Sequence, residues 1–138
     1  YSTQADTDLI GLGVSAISHV GETYSQNPRE LPAWEAAIDA GRLPTWRGLL
    51  LREDDTLRAE LIGRLMCQGE VAFAPIEQSF GVDFRRYFSA ELERLGPLAA
   101  DGLVQLLSDR IKVTPAGRRL LRVVASCFDR YLHEPAPA

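Results

Sequence analysis

The chain has 138 residues, of which 46% are apolar and 25% charged, so it is long enough for one domain with a hydrophobic core and hardly long enough for two. No apolar run approaches the roughly 20 residues that span a bilayer, and the polar, acidic first residues do not form a signal peptide, so we expect a cytoplasmic protein that binds no membrane. The net charge of −4 argues against non-specific nucleic-acid binding by the whole chain.

The first stretch with a functional signal is Leu9–Asn27, LIGLGVSAISHVGETYSQN, whose alternation predicts a strand from Leu9. One face of that strand carries Ile10, Leu12, Val14 and Ala16. The other carries Gly11, Gly13, Ser15 and Ile17. The second face has almost no side chain before Ile17, which leaves two interpretations: glycines that pack against another backbone, or a floor for a flat ligand. On spacing alone the packing interpretation is favoured.

Helical patterns dominate the remainder of the chain. Apolar spacing predicts helices over Arg29–Ala40 and Asp54–Gln68, with a short extended segment at Trp46–Leu50 between them. Further elements are predicted at Val71–Phe73 (extended), Pro75–Phe80 (short helix), Phe84–Leu95 (helix with Asp83 as N-cap, broken or kinked by Gly96–Pro97), Leu103–Leu107 and Ile111–Val113 (a hairpin), and a last helix that Thr114 caps and Pro115 begins. The inner face of the last helix should be Leu120, Leu121, Val124, Phe128 and Leu132.

This order of helix, short helix, helix, hairpin and helix is close to a winged-helix arrangement, which gives one candidate function. Residues 1–82 carry 6 Arg and 12 acidic residues, a net charge of −6, whereas residues 83–132 carry 9 Arg or Lys and 6 acidic residues, a net charge of +3. A winged-helix nucleic-acid binder would use Arg85 and Arg86 on its recognition helix. That helix lacks the Asn, Gln and Lys typical of a base reader, so we expect no nucleic-acid partner.

The two cysteines, Cys67 and Cys127, are 60 positions apart and belong to no CxxC or CxxxC group. We expect both to be buried, reduced thiols, and we predict no metal ligand in the chain.

Seven blocks taken together resemble one family. They are GLGVSAIS (11–18), YSQN (24–27), LPTWRGLLL (43–51), LMCQ (65–68), PLAADGLV (97–104), IKVTPAGRRLLR (111–122) and CFDRYL (127–132). In this order they resemble the C-terminal part of the oxygen-independent coproporphyrinogen III oxidase (dehydrogenase) family, radical S-adenosylmethionine (SAM) enzymes of haem biosynthesis. A related family of haem chaperones has a different pattern after its glycine strand, and part of such a chaperone is the lesser alternative.

The resemblance implies that the full-length enzyme carries a barrel-like catalytic domain with one [4Fe–4S] cluster and SAM, and that it oxidatively decarboxylates two propionates of coproporphyrinogen III to give protoporphyrinogen IX. In that family the Ile of the GxGxSAIS segment contacts SAM, which implies this role for Ile17 and, as weaker candidates, Gly11 and Gly13. The fold expected is mainly α with a small β component. Residues 1–28 would form the end of the barrel-like catalytic domain, and residues 29–138 a helical, winged-helix-like C-terminal domain with a β-hairpin.

The cluster motif CxxxCxxC is absent from the chain. The chain starts at Tyr1, as a piece cut from a longer protein would, so we expect its partners to be a missing N-terminal catalytic domain and, in the full-length enzyme, coproporphyrinogen III. We therefore expect no catalytic residue and no bound cofactor in these residues, and an inactive, lid-like piece.

Overall fold

The protein is described by a computed structural model over residues 7–133, which divide into an N-terminal unit, residues 7–56, and a C-terminal unit, residues 57–133. The sequence predicted a boundary after Pro28 instead. Contacts do not divide the chain there because strand Thr23–Gln26 pairs with strand Arg47–Leu50. The assignment of residues 1–28 to a catalytic domain stays a prediction, and residues 1–6 and 134–138 of the two predicted domains lie outside the described residues.

The N-terminal unit contains an antiparallel sheet and one helix. Its elements are β1 (Ile17–Val20), β2 (Thr23–Gln26), α1 (Leu31–Asp39) and β3 (Arg47–Leu50), followed by the first turn of α2 (Glu53–Gln68). The sheet order is β1-β2-β3. The predicted helix near Arg29–Ala40 and the extended segment near Trp46–Leu50 are therefore confirmed.

The predicted strand from Leu9 is wrong. Leu9 forms only one isolated bridge, with His19, through backbone hydrogen bonds of 2.7 and 2.8 Å. The chain then turns, because Gly13 has a φ of 102° and Ser15 a φ of 59°, and a strand cannot continue through residues in the left-handed region. The regular strand begins at Ile17, so the two alternating faces expected between residues 10 and 16 do not exist.

Apolar side chains of the N-terminal unit remain in contact with solvent. Among residues 7–56 only Asn27 and Asp55 are buried, and both are polar. The exposed large apolar residues of this unit are Leu9, Ile10, Leu12, Ile17, Val20, Leu31, Ile38, Leu43, Trp46, Leu49 and Leu50. The described part of this unit therefore has no hydrophobic core of its own.

The C-terminal unit is built from helices around a second antiparallel sheet. After α2 come β4 (Glu70–Ala72), α3 (Phe73–Phe80), α4 (Phe84–Tyr87), α5 (Ser89–Ala100), β5 (Val104–Leu106), β6 (Arg110–Val113), a 3-10 helix (Gly117–Leu120), α6 (Leu121–Ser126) and α7 (Arg130–His133). The sheet order is β4-β6-β5. Helices predominate as predicted, but strands form two sheets rather than one remnant strand and a hairpin, so the fold is mixed α/β.

The hydrophobic core lies entirely in the C-terminal unit. Its centre is a group of four aromatic rings in which Phe84 stacks on Phe73 at 4.2 Å between ring centroids and Phe88 contacts both Phe84 and Phe128. The other fully buried large side chains are Leu61, Leu65, Val71, Ile76, Leu95, Val104, Ile111 and Val124. No helix in the described part of the chain is long and apolar enough to cross a membrane.

The predicted helix Phe84–Leu95 is divided and also extended. Asp83 caps it as predicted, since its Oδ1 accepts a hydrogen bond from the Arg86 amide at 2.9 Å. The chain breaks at Phe88, and α5 then continues through the expected stop at Gly96–Pro97 to Ala100. Proline inside a helix removes one backbone hydrogen bond and clashes with the preceding turn. Here the helix continues because Leu95, Leu98 and Ala99, on both sides of Pro97, pack in the hydrophobic core.

The last helix is shorter than predicted, and Leu120 and Leu132 are exposed rather than on its inner face. Thr114 acts as the predicted cap, since its Oγ1 accepts a hydrogen bond from the Gly117 amide at 3.1 Å. The α-helix stops after Ser126, where the next three amides donate to carbonyls three residues earlier instead of four. Cys127 O then accepts from Arg94 at 3.3 Å and Phe128 O accepts from Arg58 at 3.0 Å.

The same two arginines enclose a buried carboxylate. Glu91 accepts a hydrogen bond from Arg58 Nη1 at 2.9 Å, and Arg94 Nη1 lies 3.8 Å from the same oxygen. Arg58 also lies over the ring of Phe88, at 5.3 Å from the ring centroid. This cluster therefore connects α2, α5 and the end of α6 through one charged group.

We predict that E91A lowers the free energy of unfolding of the C-terminal unit by about 3 kcal/mol, because it leaves two guanidinium groups without their shared carboxylate. The matched control is E60A, which removes a half-exposed pair with Arg64 on the surface of α2 and should cost under about 0.5 kcal/mol. Urea unfolding followed by circular dichroism measures both. Equal losses in the two variants would contradict a structural role for Glu91.

Candidate functional site

Ile17 is the first residue of β1 and lies directly after the turn at Gly13–Ser15. Its side chain is 53% exposed, which is unusual for a branched apolar residue in a paired strand. The structure therefore presents Ile17 at the surface of the N-terminal unit, where it can contact a ligand or another part of the polypeptide.

The turn before Ile17 is held by Asn27, one of the two buried residues of this unit. The Asn27 side-chain amide donates to Gly13 O at 2.7 Å, and the Asn27 backbone amide donates to Ala16 O at 2.9 Å. The Ser15 amide donates to Pro28 O at 2.8 Å. These contacts connect the turn to the residues that follow β2 and fix the position at which β1 begins.

Gly11 lies against the backbone of Ile17, so these two predicted site residues do come together. A Cβ on Gly11 would be only 2.6 Å from Ile17 O. The Gly11 amide also donates to Ser18 Oγ at 3.0 Å. The space left by the missing side chain is thus filled by β1 itself, which favours the packing interpretation of this glycine over a ligand floor.

Gly13 differs from Gly11 in its surroundings. No atom lies within 4 Å of the position that its Cβ would take, but its φ of 102° strains any other residue type. Position 13 therefore requires glycine because of the backbone conformation of the turn, and not because of crowding. The structure does not bring Gly13 and Ile17 onto one face.

Two residues at the beginning of β3, Arg47 and the preceding Trp46, escaped the sequence reasoning as site candidates. Arg47 on β3 donates from Nε to Gln26 Oε1 at 2.9 Å, and Gln26 is the strand partner of Ile17. Trp46, which precedes β3, is half exposed beside them. The only sequence signal was that both belong to the block LPTWRGLLL. Their alignment with Gln26 and Ile17 depends on the register of three strands, which the sequence does not reveal.

The cysteines do not offer an iron–sulfur site. Cys127 is buried as predicted, but the prediction that Cys67 is buried is wrong: it lies on the exposed side of α2. Within residues 7–133 no group of three His, Cys, Asp or Glu side chains is placed to hold a metal ion. With two cysteines, the chain does not fit the three-cysteine motif of the [4Fe–4S] cluster that the resemblance implies for the full-length enzyme.

The arginines of the alternative nucleic-acid interface are partly engaged within the protein. Arg85 donates to Leu107 O at 2.6 Å and lies over the ring of Phe73 at 5.3 Å. Arg86 is exposed on α4. A surface on which one of two candidate contact residues is held by its own chain is a weak base for nucleic-acid binding.

Comparisons with known proteins give a consistent result. The family model described as the HemN C-terminal domain matches residues 51–120. Oxygen-independent coproporphyrinogen III oxidases are similar over nearly the whole chain: that of Salmonella typhimurium is 44% identical over 99% of this chain, and that of Pseudomonas aeruginosa is 45% identical over 96%. The chain spans 30% and 29% of the lengths of these two relatives.

A solved structure shows the same similarity. The structure described as coproporphyrinogen III oxidase (HemN) from Escherichia coli, a radical SAM enzyme, is 44% identical and superposes with a TM-score of 0.90. The match covers 95% of this chain and 30% of that one.

We predict that Cys67 is alkylated by iodoacetamide well before Cys127 at pH 8. Burial raises the pKa of the Cys127 thiol, and the thiolate is the reactive form, so its rate should continue to rise with pH past the ordinary thiol pKa of about 8.5. Peptide mapping by mass spectrometry measures both rates, with the urea-unfolded chain as control. Equal rates in the folded protein would contradict the assigned burial.

Proposed function

The chain belongs to the HemN C-terminal domain family, and from this premise we propose that it is the C-terminal portion of a radical SAM enzyme of haem biosynthesis. The full-length enzyme would oxidatively decarboxylate two propionate side chains of coproporphyrinogen III and release protoporphyrinogen IX. The family is the basis for the proposed reaction. Within the full-length enzyme, Ile17 of this chain would contact SAM, and residues outside this chain would hold the cluster.

The similarity to the oxidases carries the proposed reaction, and the exposed apolar surface of the N-terminal unit supports the proposal that another domain completes this unit. A three-stranded sheet and one helix whose large apolar side chains contact water is not a stable arrangement by itself. The relatives continue for more than twice the length of this chain beyond the matched part. We assign the missing cover to that remainder, an N-terminal catalytic domain in the same polypeptide.

We base the proposed roles of the two units on the same difference: the C-terminal unit has a hydrophobic core and the N-terminal unit does not. The turn and strands up to residue 28 would complete the barrel-like catalytic domain, so that Ile17 supplies an apolar contact to SAM. The C-terminal unit has a hydrophobic core, and its order of helix, strand, three helices and hairpin supports a winged-helix-like module. A rigid body of this kind would act as a lid over the tetrapyrrole, with no group of its own in the reaction.

The alternative functions are less well supported. A nucleic-acid binder is not favoured, because the similar proteins of known name are enzymes and Arg85 is held by Leu107. A haem chaperone is not favoured either, because the relatives that match nearly the whole chain carry the name of the oxidase.

The proposal is tested with the intact protein that contains this chain, prepared without oxygen. We expect the absorbance of an iron–sulfur cluster and SAM-dependent conversion of coproporphyrinogen III to protoporphyrinogen IX. The 138-residue chain alone should be colourless and inactive, because it lacks the cluster ligands. An intact protein that forms a cluster but leaves coproporphyrinogen III unchanged would contradict the assigned reaction.

The role of Ile17 is tested by I17D in the intact protein, which should weaken SAM binding at least about 10-fold because a carboxylate replaces an apolar contact. The matched control is V20D, since Val20 is also exposed on β1 but three residues away and therefore on the opposite face. Isothermal titration with SAM measures both affinities. Unchanged SAM affinity in I17D would contradict the proposed contact between Ile17 and SAM.

A further inference from the structure

The three strands of the N-terminal sheet align one row of residues at the end where β1 begins. Ile17 pairs with Gln26, and Gln26 pairs with Arg47. Side chains of direct cross-strand partners lie on the same face of a sheet, so Arg47 shares a face with Ile17. The row connects the proposed cofactor contact to a permanently charged guanidinium group.

Hydrogen bonds hold this row in place. Gln26 Nε2 donates to Ser15 O at 3.3 Å, within the turn before Ile17, and Gln26 Oε1 accepts from Arg47 Nε at 2.9 Å. The two terminal nitrogens of Arg47 have no hydrogen-bond acceptor among residues 7–133. One side of the guanidinium is therefore fixed, and the other is available to an acceptor from outside this unit.

A second arginine lies at the same place. The guanidinium carbons of Arg47 and Arg29 lie 4.8 and 5.5 Å from the ring centroid of Trp46, whose indole is half exposed. Neither arginine is within ion-pair distance of a carboxylate in the described part of the chain. Residues 7–56 hold eight acidic residues and four arginines. None of these arginines is ion-paired within residues 7–133, and Arg29 and Arg47 differ from Arg42 and Arg52 in lying over the ring of Trp46.

We infer that Arg47 and Arg29, beside Trp46, form a carboxylate-binding subsite two strands away from Ile17. A guanidinium matches the two oxygens of a carboxylate with parallel hydrogen bonds, and the Trp46 ring, over which both guanidinium groups lie, holds the two cations close to one another. This inference rests on the proposed function, which provides two carboxylate sources: a propionate of the tetrapyrrole and the amino-acid carboxylate of SAM.

The test uses R47Q and R29Q in the intact protein, with R42Q as matched control, because Arg42 is exposed in the same unit and lies in the turn after α1. Affinities are measured for coproporphyrin III, as an unreactive tetrapyrrole with the same propionates, for SAM, and for methylthioadenosine, which lacks the carboxylate. Melting temperatures verify that each variant is folded. R47Q should weaken one carboxylate ligand about 10-fold, R29Q should weaken it less, and R42Q should have no effect.

The pattern of losses identifies the source. Weaker binding of coproporphyrin III with unchanged SAM affinity would support a propionate subsite. Weaker binding of SAM with unchanged methylthioadenosine affinity would support a subsite for the cofactor carboxylate. If R47Q and R42Q are alike for all three ligands while the wild-type protein binds them, the subsite is overturned and the proposed function stands. A wild-type protein that binds neither coproporphyrin III nor SAM overturns both.

Discussion

Large apolar side chains have to be removed from water for a small unit to be stable, and the two units of this chain meet that requirement differently. The C-terminal unit does so internally, with four phenylalanine rings at its centre and a buried carboxylate, Glu91, that joins two arginines and three helices. The N-terminal unit pairs three strands but leaves the apolar side chains of its sheet and helix exposed. Residues 7–133 therefore contain one unit with a hydrophobic core and one unit without.

This difference gives the proposed function a physical basis beyond family membership. The unit without a core holds Ile17, the Asn27-bound turn and the arginines beside Trp46, so every group that we assign to ligand binding lies in the unit whose large apolar side chains are exposed. Binding sites that are completed by two parts of a polypeptide exclude water better than sites on one exposed face. In the C-terminal unit, by contrast, the buried ion pair of Arg58 and Glu91 connects two helices of that unit.

Local signals in the sequence predicted much of the C-terminal unit, because its helix starts depend on neighbouring residues such as Asp83 and Thr114. The errors arose where distant residues decide the conformation. The turn at Gly13 is bound by Asn27, 14 residues later, and the two carbonyls that follow α6 are bound by Arg58 and Arg94. The resemblance identified Ile17 as a candidate site residue. It did not identify Arg47, since Arg47 is aligned with Ile17 only by pairing across three strands.

Hydrogen–deuterium exchange of the 138-residue chain, alone and within the intact protein, tests the central claim most directly. If the remainder of the polypeptide covers the N-terminal unit, amides of β1, β2 and β3 should exchange at least about 10-fold more slowly in the intact protein. Core amides of the C-terminal unit, such as that of Leu61, should exchange similarly in both. Equal exchange of the three strands in the two proteins would contradict the claim that this unit is completed by another domain.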